Sequence, residues 1–336
     1  MADKDSKPTK GKQVQHGKAF EYCVAVELAK AAQAELIKDA ENIKDNNFYK
    51  SLSKISQKKM GVEAKAADTC LGHYETLSKE LQARMDMAAK EAIQFLSRYE
   101  RNRMAIGNSV IIQPDQAGKE GDVRDVLLCQ NRKPLFGISA KHRHRSFKHP
   151  RLSNTIDFGK EWGKFSVSPS YWEKVRNIFD DLEQRKIASG SQVLFRDIPN
   201  LQQTVLLPVL TAFETELKSL IEEHGKPFCR NLFSYLVGNK DYYQIVADKE
   251  KVTVTSFKLR GNLKWGKKWT IPKLAKVERD EKNDSTTLHI TFDRIWTFSL
   301  RLHNARSRIE PSLKFDVKLV GMSPEVHHTH LPFPSS

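Results

Sequence analysis

What the chain lacks narrows its class before any motif is considered. Cys23, Cys70, Cys129 and Cys229 are the 4 cysteines, far apart and with no C-x-x-C pair, so neither a zinc knuckle nor a disulfide framework is indicated. No run approaches the 18 or so consecutive apolar residues that a membrane span requires, and the polar start MADKDSKPTKGKQVQ has no apolar stretch of a signal peptide. A cytoplasmic protein with no membrane partner is expected. No glycine pattern fits a P-loop or a dinucleotide fold, and no internal repeat is visible. Acid is also in deficit: 41 Asp and Glu stand against 56 Lys and Arg, a formal charge of +15 over 336 residues, which points to a polyanionic partner. With 39% hydrophobic residues, the chain can still build a core for each of two or three domains.

What is present changes character along the chain. Residues 1–16 are basic and polar and read as a disordered arm, with structure beginning near Gly17. Residues 17–105 read as helical: apolar positions recur at helical spacing from Ala19 to Ile43, among them Phe20, Val24, Leu28 and Leu36. A second such stretch runs from Glu63 to Arg103. Beyond Gly107 the texture turns to short strands, Ser109–Gln113, Asp125–Cys129 and Leu135–Lys141, the last two forming an antiparallel hairpin around Arg132. Ser168 followed by Pro169 marks a helix start, with further helix at Val209–Glu223 and Phe228–Val237. These place a mixed core at 106–240, and alternating strands such as Lys251–Phe257 and Trp296–Leu302 make 241–336 a β-rich region.

The hairpin carries the most specific chemistry. If its turn is centred on Arg132, Asp125 lies opposite Ser139, and Lys141 shares a strand face with Ser139. An acid and a lysine then converge, the spacing of the PD-(D/E)xK nucleases. Phosphodiester hydrolysis needs a hard cation held by carboxylate oxygens, and a lysine to supply compact positive charge or orient the water. Ser139 stands where a second acid is usual. Glu21, in GKAFEY on the first helix, could replace it; Asp122 could also, although three residues from Asp125 it should face the other side of a straight strand, and Glu120 is a weaker third choice.

Around this centre the segment KHRHRSFKHPR carries Lys141, Arg143, Arg145, Lys148 and Arg151 with no acid, and three of the 11 histidines, His142, His144 and His149. Such a run suits phosphates; His142 and His144 could alternatively be metal ligands. Two later groups could reach bases: Arg301, His303, Asn304, Arg306 and Arg308 in RLHNARSR, and Lys258, Arg260, Lys264, Lys267 and Lys268 around Trp265. The former is favoured. Trp265, Trp269 and Trp296 read as core residues rather than stacking platforms.

KEGDVRDVLL, FGISAKHRH, KHPRLS, DFGKEW and SLRLHNARSRIEPSLKFDV resemble the HaeIII family of type II restriction endonucleases, within the PD-(D/E)xK superfamily. The resemblance implies an α/β (α+β) restriction-endonuclease-like core with a helical N-terminal part and a β-rich C-terminal part. It further implies magnesium-dependent cleavage of double-stranded DNA at GGCC, a small residue at Ser139 as a family trait, and a companion DNA methyltransferase. Carried over, Asp125 and Lys141 are catalytic, with Glu21 and Asp122 as further metal ligands. A palindromic site would suit a homodimer. The competing expectation, kept open by Ser139, is a protein of the same fold that binds its site without cutting.

Overall fold

The computed structural model describes residues 10–38, 54–115, 121–143, 146–188, 193–280 and 285–333. The chain divides into two units: residues 1–144, 239–269 and 325–336 form the first, and 145–238 with 270–324 form the second. The β-rich C-terminal region is thus shared between both, because strand pairing follows hydrogen-bond register rather than chain order.

In the first unit, helix α1 spans Lys10–Ala32, starting seven residues before Gly17 and so extending the helix into the expected arm. A helix nucleated on a buried face propagates at little further cost through polar residues. Phe20, Val24 and Leu28, spaced four apart, are fully buried along with Ala19. The helix ends earlier than the periodicity suggests. Gln33 adopts φ 50°, the Ala34 N–H closes on the Ala29 carbonyl at 2.9 Å, and Leu36 then enters a two-residue strand β1, Glu35–Leu36. Ile43 lies outside the described residues. Two helices, α2 (Lys54–Glu75) and α3 (Lys79–Met104), replace the single one expected from Glu63 to Arg103. Ser78 caps α3, its Oγ accepting the Leu81 N–H, and this local hydrogen bond stops the pattern from running through.

Strands β2 (Ser109–Ile112), β3 (Val126–Gln130) and β4 (Lys133–His142) follow. With β7 (Tyr242–Ala247), β8 (Lys251–Phe257) and β13 (His328–Pro332) they make a seven-stranded sheet in the order β1-β2-β3-β4-β7-β8-β13. β4 pairs antiparallel with β3 and parallel with β7, which makes it a central strand. Alternation explains why β2 and β3 are continuously apolar. Val110, Ile112, Val126 and Leu128 join the core with Phe20, while Ile111, Leu127 and Cys129 face the other way and pack with Met60 and Ala64 of α2. The β3–β4 turn holds Asn131 and Arg132 at φ 49° and 63°. Arg132 is anchored there by Glu63 at 2.6 Å, and Asn131 by reciprocal bonds with Asn108.

The second unit holds β5 (Ser146–Lys148), β6 (Arg151–Leu152), helices α4 (Pro169–Ala188) and α5 (Leu207–Val237), and strands β9 (Ala275–Arg279), β10 (Thr287–Phe292), β11 (Trp296–Asn304) and β12 (Leu313–Gly321). The sheet runs β5-β12-β11-β10-β9, with β6 also on β12. Ser168 caps α4 through the Tyr171 N–H. The helical stretches expected at Val209–Glu223 and Phe228–Val237 are one element, kinked where Gly225 takes φ 52° before Pro227. Phe158, Trp162, Tyr171, Phe213 and Phe315 form an aromatic core. All four cysteines are free and buried, and among the described residues no helix is long and apolar enough to cross a membrane.

Candidate active site

The site is built on the end of β4. Val126 pairs with Ile138, so the residue before β3, Asp125, falls beside Ser139. Ile138 and Ala140 take the core positions of β4, leaving Ser139 and Lys141 on the alternate set. Three donors then converge on one oxygen of Asp125. Oδ2 accepts from Ser139 Oγ at 3.1 Å, the Ala140 N–H at 2.8 Å and Lys141 Nζ at 3.0 Å. Burial by itself would lower the Lys141 pKa, but the charges of Asp125 and Glu21 outweigh it, and the ammonium is held above its ordinary range.

Glu21 arrives from α1 inside the apolar stripe, next to Phe20 and Val24, and is only 6% exposed. Its Oε2 accepts from Lys18 Nζ at 2.9 Å, with Cys70 Sγ at 3.8 Å. Burial first, and the nearby Asp125 carboxylate second, push its pKa up to about 7 against the pull of Lys18 and Lys141. The Asp125 carboxylate thus lies close enough to Glu21 to disfavour its charged form in a desolvated place. Among the described residues no three His, Cys, Asp or Glu side chains gather as a metal cluster. Two hard carboxylates nevertheless suit a divalent metal ion, the kind of cofactor that type II restriction endonucleases use.

The other acids stand elsewhere. Burial alone would raise the Asp122 carboxyl, but its bidentate pair with Arg124, at 2.7 and 2.6 Å, with the Arg124 charge and N–H, outweighs this and holds it below its usual range. Arg124 can lie there because Gly137 presents no side chain; a Cβ would stand 2.4 Å from Arg124 Cδ. Asp122 is therefore taken up by a structural pair and does not join Asp125. Glu120 lies outside the described residues.

Among the basic candidates, His142 is buried, packs edge-on against His16 with ring centroids 5.4 Å apart, and also meets Phe20. Burial, then Arg143, drops its pKa to about 4, so it is a neutral inward-facing ring and not the phosphate contact its place in the basic run suggested. Arg143 sits at φ 50°, and His144 lies outside the described residues. In the second unit, Lys148 places Nζ 3.8 Å from the centroid of Tyr235, which stacks on Trp162, and burial lowers its pKa to about 8. Arg151 is exposed and donates to Ser312 Oγ at 3.2 Å. Arg301 projects from β11 opposite Asp316 of β12. His303 Nδ1 lies 2.8 Å from the Asn304 carbonyl and so carries its proton there, while the Asn304 amide donates to the Arg306 carbonyl. Arg306 is exposed, reaching Glu310 at 3.4 Å. Trp265, Trp269 and Trp296 are buried, as their sequence context indicates.

Lys18 and Asp115, joined at 2.7 Å, complete the surroundings of Glu21 and were not singled out by motif. The available signal was an acid set within an apolar helical stripe with a lysine three residues before it.

Comparison with known proteins gives the class first. This is a type II restriction endonuclease, an enzyme that hydrolyses DNA. The chain belongs to the HaeIII restriction endonuclease family, whose model matches residues 46–323. Over 232 residues it is 36% identical to the type II restriction enzyme HaeIII of Haemophilus aegyptius, covering 64% of this chain and 72% of that protein. No solved structure matches the chain. Asp125 and Lys141 fall within the family-matched segment; Glu21 and Lys18 precede it.

Proposed function

We propose that this endonuclease cuts duplex DNA at GGCC by magnesium-dependent hydrolysis, with Asp125 and Glu21 as the acidic ligands and Lys141 as the cation beside the scissile phosphate. The observation that carries this reading is the convergence of Asp125, just before β3, with Lys141 of β4 and Glu21 of α1. A bound magnesium ion would polarise the phosphate and lower the pKa of a water. Asp125, fixed through Oδ2 by three donors, keeps Oδ1 for a ligand. Lys141, kept protonated, offsets negative charge that builds on the phosphate oxygens. In the net reaction a water oxygen bonds to phosphorus, the bond from phosphorus to the leaving oxygen breaks, and that oxygen takes up a proton.

Arg143, Lys148, Arg151, Arg301, His303, Asn304 and Arg306 are proposed to bind the DNA, Arg301 and Arg306 as the donors best suited to guanine edges. A palindromic site favours a homodimer, and the natural counterpart is a DNA methyltransferase of the same specificity; both would operate in the cytoplasm. The test is plasmid digestion with magnesium, followed by mapping of the fragment ends. Ends within GGCC support the specificity, and ends at another sequence overturn it. Lys141→Ala should lose cleavage by about 10²–10³-fold while retaining site-specific binding in calcium; undiminished cutting sinks the assignment.

A further inference from the structure

We propose that Lys18 is the positioning residue for Glu21, doing for that carboxylate what Lys141 does for Asp125. The inference rests on the reading of Glu21 as a metal ligand. Its basis is an atom-by-atom parallel between the two acids. On Asp125, three donors meet Oδ2, and among the described residues none meets Oδ1. On Glu21, Lys18 Nζ and Cys70 Sγ both approach Oε2, and among the described residues no donor approaches Oε1. A carboxylate anchored by one oxygen presents the other in a fixed direction, which is what a ligand to a hard cation requires.

An ion pair three residues apart on a helix usually contributes little, because both side chains are solvated and mobile. The same helix supplies that case: Lys30 meets Glu27 at 2.6 Å with the lysine side chain 66% exposed. Lys18 differs on two counts. Its side chain is 20% exposed, and it is held from the other side by Asp115, 2.7 Å away in the segment after β2. The fully buried Ala19, Phe20 and Val24 fix the rotation of α1, so Lys18 and Glu21 cannot leave together. Asp115, Lys18 and Glu21 thus form a chain that ends on a single carboxylate oxygen.

The experiment is calorimetric titration of the full-length protein with calcium, without DNA, beside thermal unfolding of each variant. A lysine that acted only as a neighbouring positive charge would oppose cation binding, so its removal would tighten calcium. A positioning lysine gives the opposite sign. Lys18→Met is expected to weaken calcium binding by about 10–100-fold, the usual cost of removing a group that orients a ligand, and Lys18→Arg to recover most of it. Unchanged or tighter binding in Lys18→Met overturns the proposal. Glu21→Gln separates the two layers. If it binds calcium as wild type does, the ligand reading of Glu21 fails; if it loses affinity while Lys18→Met does not, the role of Lys18 alone fails. Should Lys18→Met not fold, Asp115→Asn alters an 81% exposed side chain at the far end of the chain of contacts. Weakening there supports the role, and wild-type affinity overturns it.

Discussion

Glu21 in the first unit and Glu216 in the second are equally buried, each 6% exposed, and they do different things. Glu216, on α5, receives the Ser168 N–H on Oε1 at 2.6 Å and the Ser168 hydroxyl on Oε2 at 2.7 Å, so both oxygens are spent on holding the start of α4. Glu21 has donors on one oxygen and a second carboxylate nearby. Glu100, fully buried in the first unit, follows the Glu216 pattern: Oε1 takes Tyr243 Oη and the Lys264 N–H, and Oε2 meets Arg103. Burial therefore does not mark a reactive acid. What sets Glu21 apart from the other two is that, among the described residues, donors reach one of its oxygens while a like charge lies beside it.

The contrast is tested most severely by exchanging charge for amide. Asp125→Asn should reduce cleavage by about 10³-fold or more, corresponding to several kcal/mol of lost transition-state stabilisation, with the unfolding temperature little changed. Single-turnover cleavage of a plasmid beside a thermal melt reads both; cleavage near the wild-type rate removes Asp125 from the centre. Glu216→Ala should behave in the reverse way. It removes the acceptor of the half-buried Ser168 N–H and of its hydroxyl and should cost about 1–3 kcal/mol of stability, while cleavage well below the melt stays close to wild type. A stable but inactive Glu216→Ala would break the comparison.

A smaller effect is expected from exposed cations of the second unit. Arg306→Ala, if the residue meets a phosphate, should lower the slope of log binding constant against log salt by about 0.9. If it reads a guanine instead, the slope stays and discrimination against altered sites falls by about 1–3 kcal/mol. Loss of neither quantity in a filter-binding series removes Arg306 from the interface.

Legibility in the sequence follows the range of the interactions. The hairpin register was readable because two-residue turns and strand alternation are local, and Asp125, Ser139 and Lys141 came with it. The strand segments Lys251–Phe257 and Thr287–Phe292 were readable for the same reason. The parallel pairing of β4 with β7 joins Ile138 to Tyr243, over 100 residues apart, and nothing in a local pattern specifies that partner. Nor does local pattern show that β13 returns to the first sheet. Glu21 was visible as an acid but not as a buried one until α1 was laid against β4. The fate of Asp122 turned on Arg124 lying over a bare Gly137, a packing detail without a motif. His142 misled because charge runs are read by composition, whereas strand alternation turned its ring into the core.

The smallest effect expected is also the most direct probe of the charge conflict. In the metal-free protein the Glu21 carboxyl titrates near 7 rather than at its ordinary 4.5, because burial and Asp125 disfavour the anion. Between those values the folded protein holds more protons than the unfolded chain, so the stability due to Glu21 is present at pH below about 4.5 and is lost as pH rises through about 7. Glu21→Gln cannot titrate. Its melting temperature in a chelating buffer, measured relative to wild type, should therefore rise as pH moves from about 4.5 to about 7, the window between those two values, and level off above it. Magnesium should cancel that trend, since a cation between the two acids favours their charged forms and stabilises wild type alone. A difference between the two proteins that stays flat with pH, with and without magnesium, would mean that Glu21 and Asp125 do not share a site, and the distinction from Glu216 would fall with it.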